Sequence, residues 1–266
     1  MKTGYIDAHL HLQDERLTKV EGYPENLIDP EVQLLLVNGT SPDDWEKVSE
    51  LAAKHPKISP SFGLHPWWVG KENDDWFERL ISILDTHPKA GIGEIGLDKW
   101  IRNSSFEKQK EVFEKQLHLA TDSSIPPTIH CLKAWGTMLE MLTDSPIRKT
   151  GFLLHSYSGP PELVSSFLDL GAYFSISGYF ARPDKVKRLE AWRRVPIDRL
   201  FVETDAPDMS PPSNLVRAEI FDTNESLINH PRNIISIYQW VADFYGIQVD
   251  DLKMQVIQNF NGLFNR

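Results

Sequence analysis

Gln33-Leu34-Leu35-Leu36-Val37 is an almost unbroken apolar run, and Ser41-Pro42-Asp43-Asp44 follows it three residues later. A short run without alternation reads as a strand buried on both faces. The Ser-Pro-Asp-Asp stretch offers a helix cap with proline at the first helical position. It predicts a helix starting at Pro42, with Val48, Leu51 and Ala52 at helical spacing. The same unit recurs along the chain. Further runs lie near Tyr5-Ile6-Asp7, Ile58-Ser59-Pro60-Ser61-Phe62, Ala90-Gly91-Ile92-Gly93, Pro127-Thr128-Ile129, Phe152-Leu153-Leu154, Ala172-Tyr173-Phe174-Ser175-Ile176 and Leu200-Phe201-Val202. Helical stripes separate several of them: Phe106, Gln109, Val112, Phe113, Gln116, Leu117 and Ala120; then Leu139 and Leu142. Two more close the chain: Ile234, Ile237, Tyr238 and Val241, then Val256, Phe260 and Phe264. Eight strands alternating with helices predict one α/β domain over 1–266, a (β/α)8 TIM barrel. The rival is an open doubly wound sheet, and no Gly-x-Gly-x-x-Gly turn follows the first strand to support it.

Composition narrows the function. The chain has 266 residues, 28 basic and 38 acidic, for a formal charge of −10. A protein held to nucleic acid by a broad basic surface would carry the opposite sign. A phosphoester substrate would therefore need positive charge supplied locally, which metal ions would do. The lone cysteine, Cys131, has no disulfide partner within the chain, and Met1 to Asp7 lacks a secretory pattern. Both point to a reducing compartment, the cytoplasm. No stretch approaches the 18 or so consecutive apolar residues of a membrane span. Nothing in the sequence demands an obligate protein partner.

The strand ends carry the chemistry. The first ends in Asp7-Ala8-His9-Leu10-His11, where residues two apart share a direction. The fourth holds Glu94 between glycines in Gly93-Glu94-Ile95-Gly96-Leu97-Asp98. The fifth ends at His130, the sixth at His155, and the eighth in Glu203-Thr204-Asp205-Ala206-Pro207. In a barrel these ends meet at one mouth. His9, His11, Glu94, His130, His155 and Asp205 make four imidazoles and two carboxylates. That is too many ligands for one tetrahedral zinc ion, and it suits a pair of divalent cations, Mg, Mn or Zn.

At these residues the chain resembles the TatD family of metal-dependent deoxyribonucleases, within the amidohydrolase superfamily. The resemblance spans nearly the whole chain and rests on Asp7-x-His9-x-His11, Gly63-x-His65-Pro66, Gly93 to Asp98, Ile129-His130, His155-Ser156-Tyr157-Ser158-Gly159 and Glu203-Thr204-Asp205-x-Pro207. It implies that His9 and His11 hold one metal with Asp205, that His130 and His155 hold the other, and that Glu94 bridges them. It makes Asp205 the general base, with Glu94 beside it in the catalytic pair. It implies a substrate contact or supporting role for His65, and a phosphate contact for Lys133. Asp7 either orients a ligand imidazole or bonds to backbone. Glu203 reads as a partner of a ligand imidazole. His55, His87 and His118 read as surface or packing residues, and His230 stays outside the ligand set.

Other features bear on the substrate. Gly178 to Arg194 carries six cations, Arg182, Lys185, Lys187, Arg188, Arg193 and Arg194, against Asp184 and Glu190. It reads either as a phosphate-facing lip or as a solvated helix face. Trp67, Trp68, Trp100, Tyr179 and Phe180 follow strand ends, where they either stack bases or pack between helices. Ala206 to Asn229 reads as either an active-site loop or a disordered connection. Its Asp208, Glu219, Asp222 and Glu225 would repel a polyanion if they faced the mouth. The leading expectation is a hydrolase that cleaves DNA phosphodiesters with a two-metal-activated water, at an end or in a single strand. The alternatives are a superfamily hydrolase of a small amide, lactone or phosphoester, and a metal-binding scaffold without turnover.

Overall fold

In the computed structural model, which describes residues 3–101 and 105–264, eight parallel strands stand side by side in sequence order. They are β1 (Tyr5–Leu10), β2 (Val32–Asn38), β3 (Ile58–Phe62), β4 (Gly91–Asp98), β5 (Pro127–Leu132), β6 (Phe152–Leu154), β7 (Ala172–Ser177) and β8 (Leu200–Glu203). Each coincides with one apolar run of the sequence. The Asp205 N–H donates to the His9 carbonyl (2.9 Å), and the His11 N–H donates to the Ala206 carbonyl (2.8 Å). These bonds join the chain beyond β8 to the end of β1 and draw the sheet into a barrel at its C-terminal rim. All eight residues of β4 and all six of β1 are buried, as parallel strands covered on both faces require.

Helices between the strands cover the outside: α1 (Glu15–Thr18), α2 (Trp45–Lys54), α3 (Trp76–Thr86), α4 (Phe106–Asp122), α5 (Trp135–Asp144), α6 (Val164–Asp169), α7 (Leu189–Trp192), α8 (Ile234–Tyr245) and α9 (Val249–Phe264). Helix α2 begins at Trp45, not at Pro42 as the cap signal predicts. The Asp44 carboxylate explains the delay. It folds back to accept from the N–H groups of Thr40 and Ser41 and from the Thr40 hydroxyl, so the Ser-Pro-Asp stretch closes as a turn first.

Two glutamines lie buried within the apolar stripe of α4. The Gln109 amide pairs with both backbone groups of Asp98, at 2.8 and 3.0 Å. The Gln116 amide does the same for Leu64, at 2.7 and 3.1 Å. The helix thereby fixes the ends of two strands that feed the mouth. Gly96 has a similar role. Its φ is +146°, and a side chain there would collide with the His130 carbonyl, so β4 lies tight against β5 only with glycine. At the far end of the chain, Asn259 of α9 donates to the carbonyls of Ile197 and Leu200, pinning the last helix to the start of β8.

The segment from Ala206 to Asn229 is ordered around a small hairpin, β9 (Ile220–Phe221) and β10 (Leu227–Ile228). The Asp222 carboxylate accepts from the N–H groups of Asn224 and Ser226 within its turn. At its base, the Asn229 amide donates to the Thr204 carbonyl, and Asn233 donates to Asn229.

Candidate metal centre

Glu94 stands at the middle of the mouth, 2% exposed, with its two oxygens facing different groups. Oε2 lies 3.4 Å from His9 Nε2 and 3.3 Å from His11 Nε2. Those two nitrogens are 3.3 Å apart, and Asp205 Oδ1 is 3.6 and 3.7 Å from them. Oε1 lies 2.8 Å from His155 Nε2, 3.0 Å from His130 Nδ1 and 3.4 Å from His65 Nε2. His130 Nδ1 and His155 Nε2 are 3.1 Å apart. The six residues singled out as ligands from the strand ends therefore converge, in two groups that share one carboxylate. His65, expected as a substrate contact or a support, points its Nε2 into the second group.

The donor chemistry fits divalent cations. Ligand atoms held about 2.0–2.1 Å from a tetrahedral ion sit roughly 3.3–3.5 Å from each other, and the spacings within each group lie near that value. Each imidazole offers one nitrogen to the group, and the carboxylates bring the charge.

The protonation pattern says the same. Burial raises the Glu94 carboxyl, but His65, His155, His9 and His11 outweigh it and hold the group well below the usual carboxylate range. Burial lowers His11, yet the hydrogen bond and charge of Glu94, with the charge of Asp205, lift it to about 9. Burial likewise lowers His155, and Glu94 and Glu203 raise it well above the normal imidazole range. Burial, reinforced by the charge of His155, pushes His9 down to about 4. Burial lifts Asp205 to about 7 against the pull of His155 and His11. Protons on imidazoles thus balance a dense set of carboxylates, the charge a bound cation would otherwise supply.

A surrounding layer holds these groups in place. Asp98 accepts from the Trp67 indole (2.7 Å) and from the Trp100 N–H (2.7 Å), and lies 3.3 Å from His130 Nε2. The His11 Nδ1 sits 2.9 Å from the Asn38 carbonyl, which also accepts from Gln13. Asp7 accepts from the Thr204 N–H and hydroxyl, at 2.9 and 2.6 Å, and from the His9 N–H. It organises backbone at the β1–β8 seam and does not orient an imidazole. Asp205 itself sits at φ +57°, a left-handed turn that a short polar side chain tolerates.

A family model described as TatD related DNase matches residues 6–265. The chain belongs to the TatD-related DNase family. Its TatD relatives include an uncharacterized metal-dependent hydrolase, YjjV, from Escherichia coli K12. That protein is 25% identical over 264 residues, covering 98% of both chains. A 3'-5' ssDNA/RNA exonuclease TatD from Dickeya dadantii is 28% identical over 232 residues, covering 86% of each. The crystal structure of E. coli YjjV superposes with a TM-score of 0.88 over 100% of both chains at 24% identity, which shows the shared barrel. The protein is a TatD-family metal-dependent hydrolase.

Beside this TatD centre opens a cleft of about 560 Å³ that reaches His130, His155 and Asp205. Of the basic segment after β7, Arg182, Lys185 and Arg188 line it. Lys187, Arg193 and Arg194 do not line it; Arg194 pairs with Glu190, and Arg193 lies over Phe244. The segment thus divides between cations that line the cleft and cations that do not. Lys133 does not line the cleft. It is exposed beside Trp100, its ammonium 5.8 Å from the ring. Trp100 and Tyr179 border the cleft and reach solvent, while Phe180 is packed inside. None of Asp208, Glu219, Asp222 and Glu225 lines the cleft, so the repulsion expected from that loop has no carboxylate facing the substrate path. His55 and His87 cap helices, His118 lies within α4, and His230 caps the short turn at Pro231.

The sequence reading gives Asp98, Asn38, Gln109 and Gln116 no role at the site, although it places both glutamines on the α4 stripe. The two glutamines were legible as polar residues on an otherwise apolar stripe, a signal that each has a buried partner.

Proposed function

We propose that this protein hydrolyses phosphodiester bonds in nucleic acid, using two divalent cations held by His9, His11 and Asp205 on one side and His130 and His155 on the other, with Glu94 between them. The observation that carries this reading is the division of Glu94, one oxygen to each group. His65 stands near enough to the second group to serve it as a further ligand. Imidazole and carboxylate donors suit Mg, Mn or Zn.

Bound there, such cations lower the pKa of water and offset phosphoryl charge. The protein's own residues do the rest. Asp205 accepts the proton of the attacking water. Arg182, Lys185 and Arg188 supply the positive charge that the overall −10 denies the surface, and they position the phosphate backbone. Trp100 and Tyr179 offer flat faces to unstacked bases. A cleft of about 560 Å³ suits a single strand or an end, and the exonuclease name of the Dickeya dadantii relative supports that choice. Cys131, buried and unpaired, suits a reducing cytoplasm.

The test is digestion of an end-labelled single-stranded oligonucleotide with Mg²⁺, Mn²⁺ or Zn²⁺, with and without chelator, beside a small amide and a small ester. Cleavage is expected with metal alone. Asp205→Asn should lower kcat by about 10²–10⁴-fold, the usual worth of a general base. Undiminished cleavage by Asp205→Asn would sink the mechanism, and turnover of the small compounds alone would sink the substrate.

A further inference from the structure

Among the described residues, three buried atoms beside the metal-facing groups have no hydrogen-bond partner: His9 Nδ1, His155 Nδ1 and Glu203 Oε1. They belong together. His155 Nδ1 lies 3.7 Å from Glu203 Oε1, and donor atoms of His9, His155 and Glu203 fall within 4.8 Å of one another. The rings of His9 and His155 stack at 4.0 Å between centroids, 13° from parallel. Both aim Nε2 at Glu94, from opposite groups. The other oxygen of Glu203 takes the Ser175 hydroxyl, and the side chain is wholly buried.

An imidazole that gives its Nε2 lone pair to a cation carries hydrogen on Nδ1. That hydrogen needs an acceptor, and the acceptor sets the ring's orientation and basicity. We propose that Glu203 Oε1 is the shared acceptor for His9 and His155, so that one buried carboxylate positions a ligand of each cation and couples the two. This inference rests on the metal reading above. A third cation among the same atoms would require both rings to bind metal through both nitrogens. A hydrogen-bonding carboxylate asks nothing unusual of either ring.

Glu203 is a positioning residue, and metal uptake is its readout. Metal-free protein is titrated with Zn²⁺ or Mn²⁺ by calorimetry, with the bound metal counted by elemental analysis. The variants are Glu203→Gln, Asp98→Asn and Ser175→Ala. For Glu203→Gln, both affinities should fall together, by about 10- to 100-fold, the usual effect of losing such a partner. Among the proposed ligands Asp98 contacts only His130, so Asp98→Asn should weaken one. A Glu203→Gln protein with undiminished affinity, or with one site weakened alone, overturns the inference. If circular dichroism shows that Glu203→Gln does not fold, Ser175→Ala decides: a smaller joint loss supports the coupling, and unchanged affinities overturn it. Wild-type protein that takes up no divalent ion overturns the metal reading itself.

Discussion

Arg16 grips Asp208 with both terminal nitrogens, each 2.8 Å from a carboxylate oxygen, across 192 residues of chain. The same guanidinium holds Asp14. It ties α1 to the segment after β8, and it balances the charge of Asp208.

Arg16→Gln should therefore release that segment and leave the Asp208 charge unpaired, three residues beyond Asp205. The pair is a third to a half exposed, so the stability loss should stay below about 1 kcal/mol. The effect belongs in substrate binding. KM for an oligonucleotide should rise several-fold with kcat little changed, and added salt should narrow the gap. Identical KM values at low salt would show that the tether does not bear on binding.

The cleft cations make a separate prediction. Each phosphate neutralised on a single strand contributes about −0.7 to the slope of log affinity against log salt. Lys185→Ala and Arg188→Ala should each flatten that slope by roughly this amount. Lys133→Ala should change it much less, because Lys133 stands outside the cleft. Fluorescence anisotropy with a single-stranded probe across a salt series measures all three. The opposite ranking would move the phosphate path toward Trp100.

Metal affinity should depend on pH with a definite sign. The metal-free His11 holds its proton up to about pH 9, and His155 is raised above the normal imidazole range. A cation must displace those protons, so affinity should climb as pH rises from 6 toward 9 and fall on acidification. Calorimetry at pH 7 in two buffers of different ionisation enthalpy should register proton release. Binding without released protons would contradict this arrangement.

Gln116 is wholly buried and satisfies both backbone groups of Leu64, one residue before His65. Gln116→Ala strands those two groups and leaves a cavity. Each unsatisfied group costs about 1–3 kcal/mol, so a total loss of roughly 2–5 kcal/mol is expected. Urea unfolding of the metal-free protein should show it as a lower midpoint at similar slope. A shift worth less than about 0.5 kcal/mol, the range of ordinary surface changes, would mean that water replaces the amide.

The sequence by itself determined the barrel and most of the centre. Strands buried on both faces announce themselves as apolar runs, and a His or carboxylate closing such a run stands out because burial there needs a partner. His9, His11, Glu94, His130, His155 and Asp205 were all legible on that ground. The start of α2 was not, since Asp44 serves the turn at Thr40 in preference to a helix cap at Pro42. The family resemblance already implied how the six residues divide, and the tertiary structure shows the same two groups, with one oxygen of Glu94 toward each. Only the tertiary structure decided that His65 points into the second group, that Lys133 stands aside from the cleft, and that Arg16 silences Asp208. Each of these depends on contacts between residues tens to hundreds of positions apart. Local periodicity carries which face a side chain takes, but distances between strands arise only when the barrel closes.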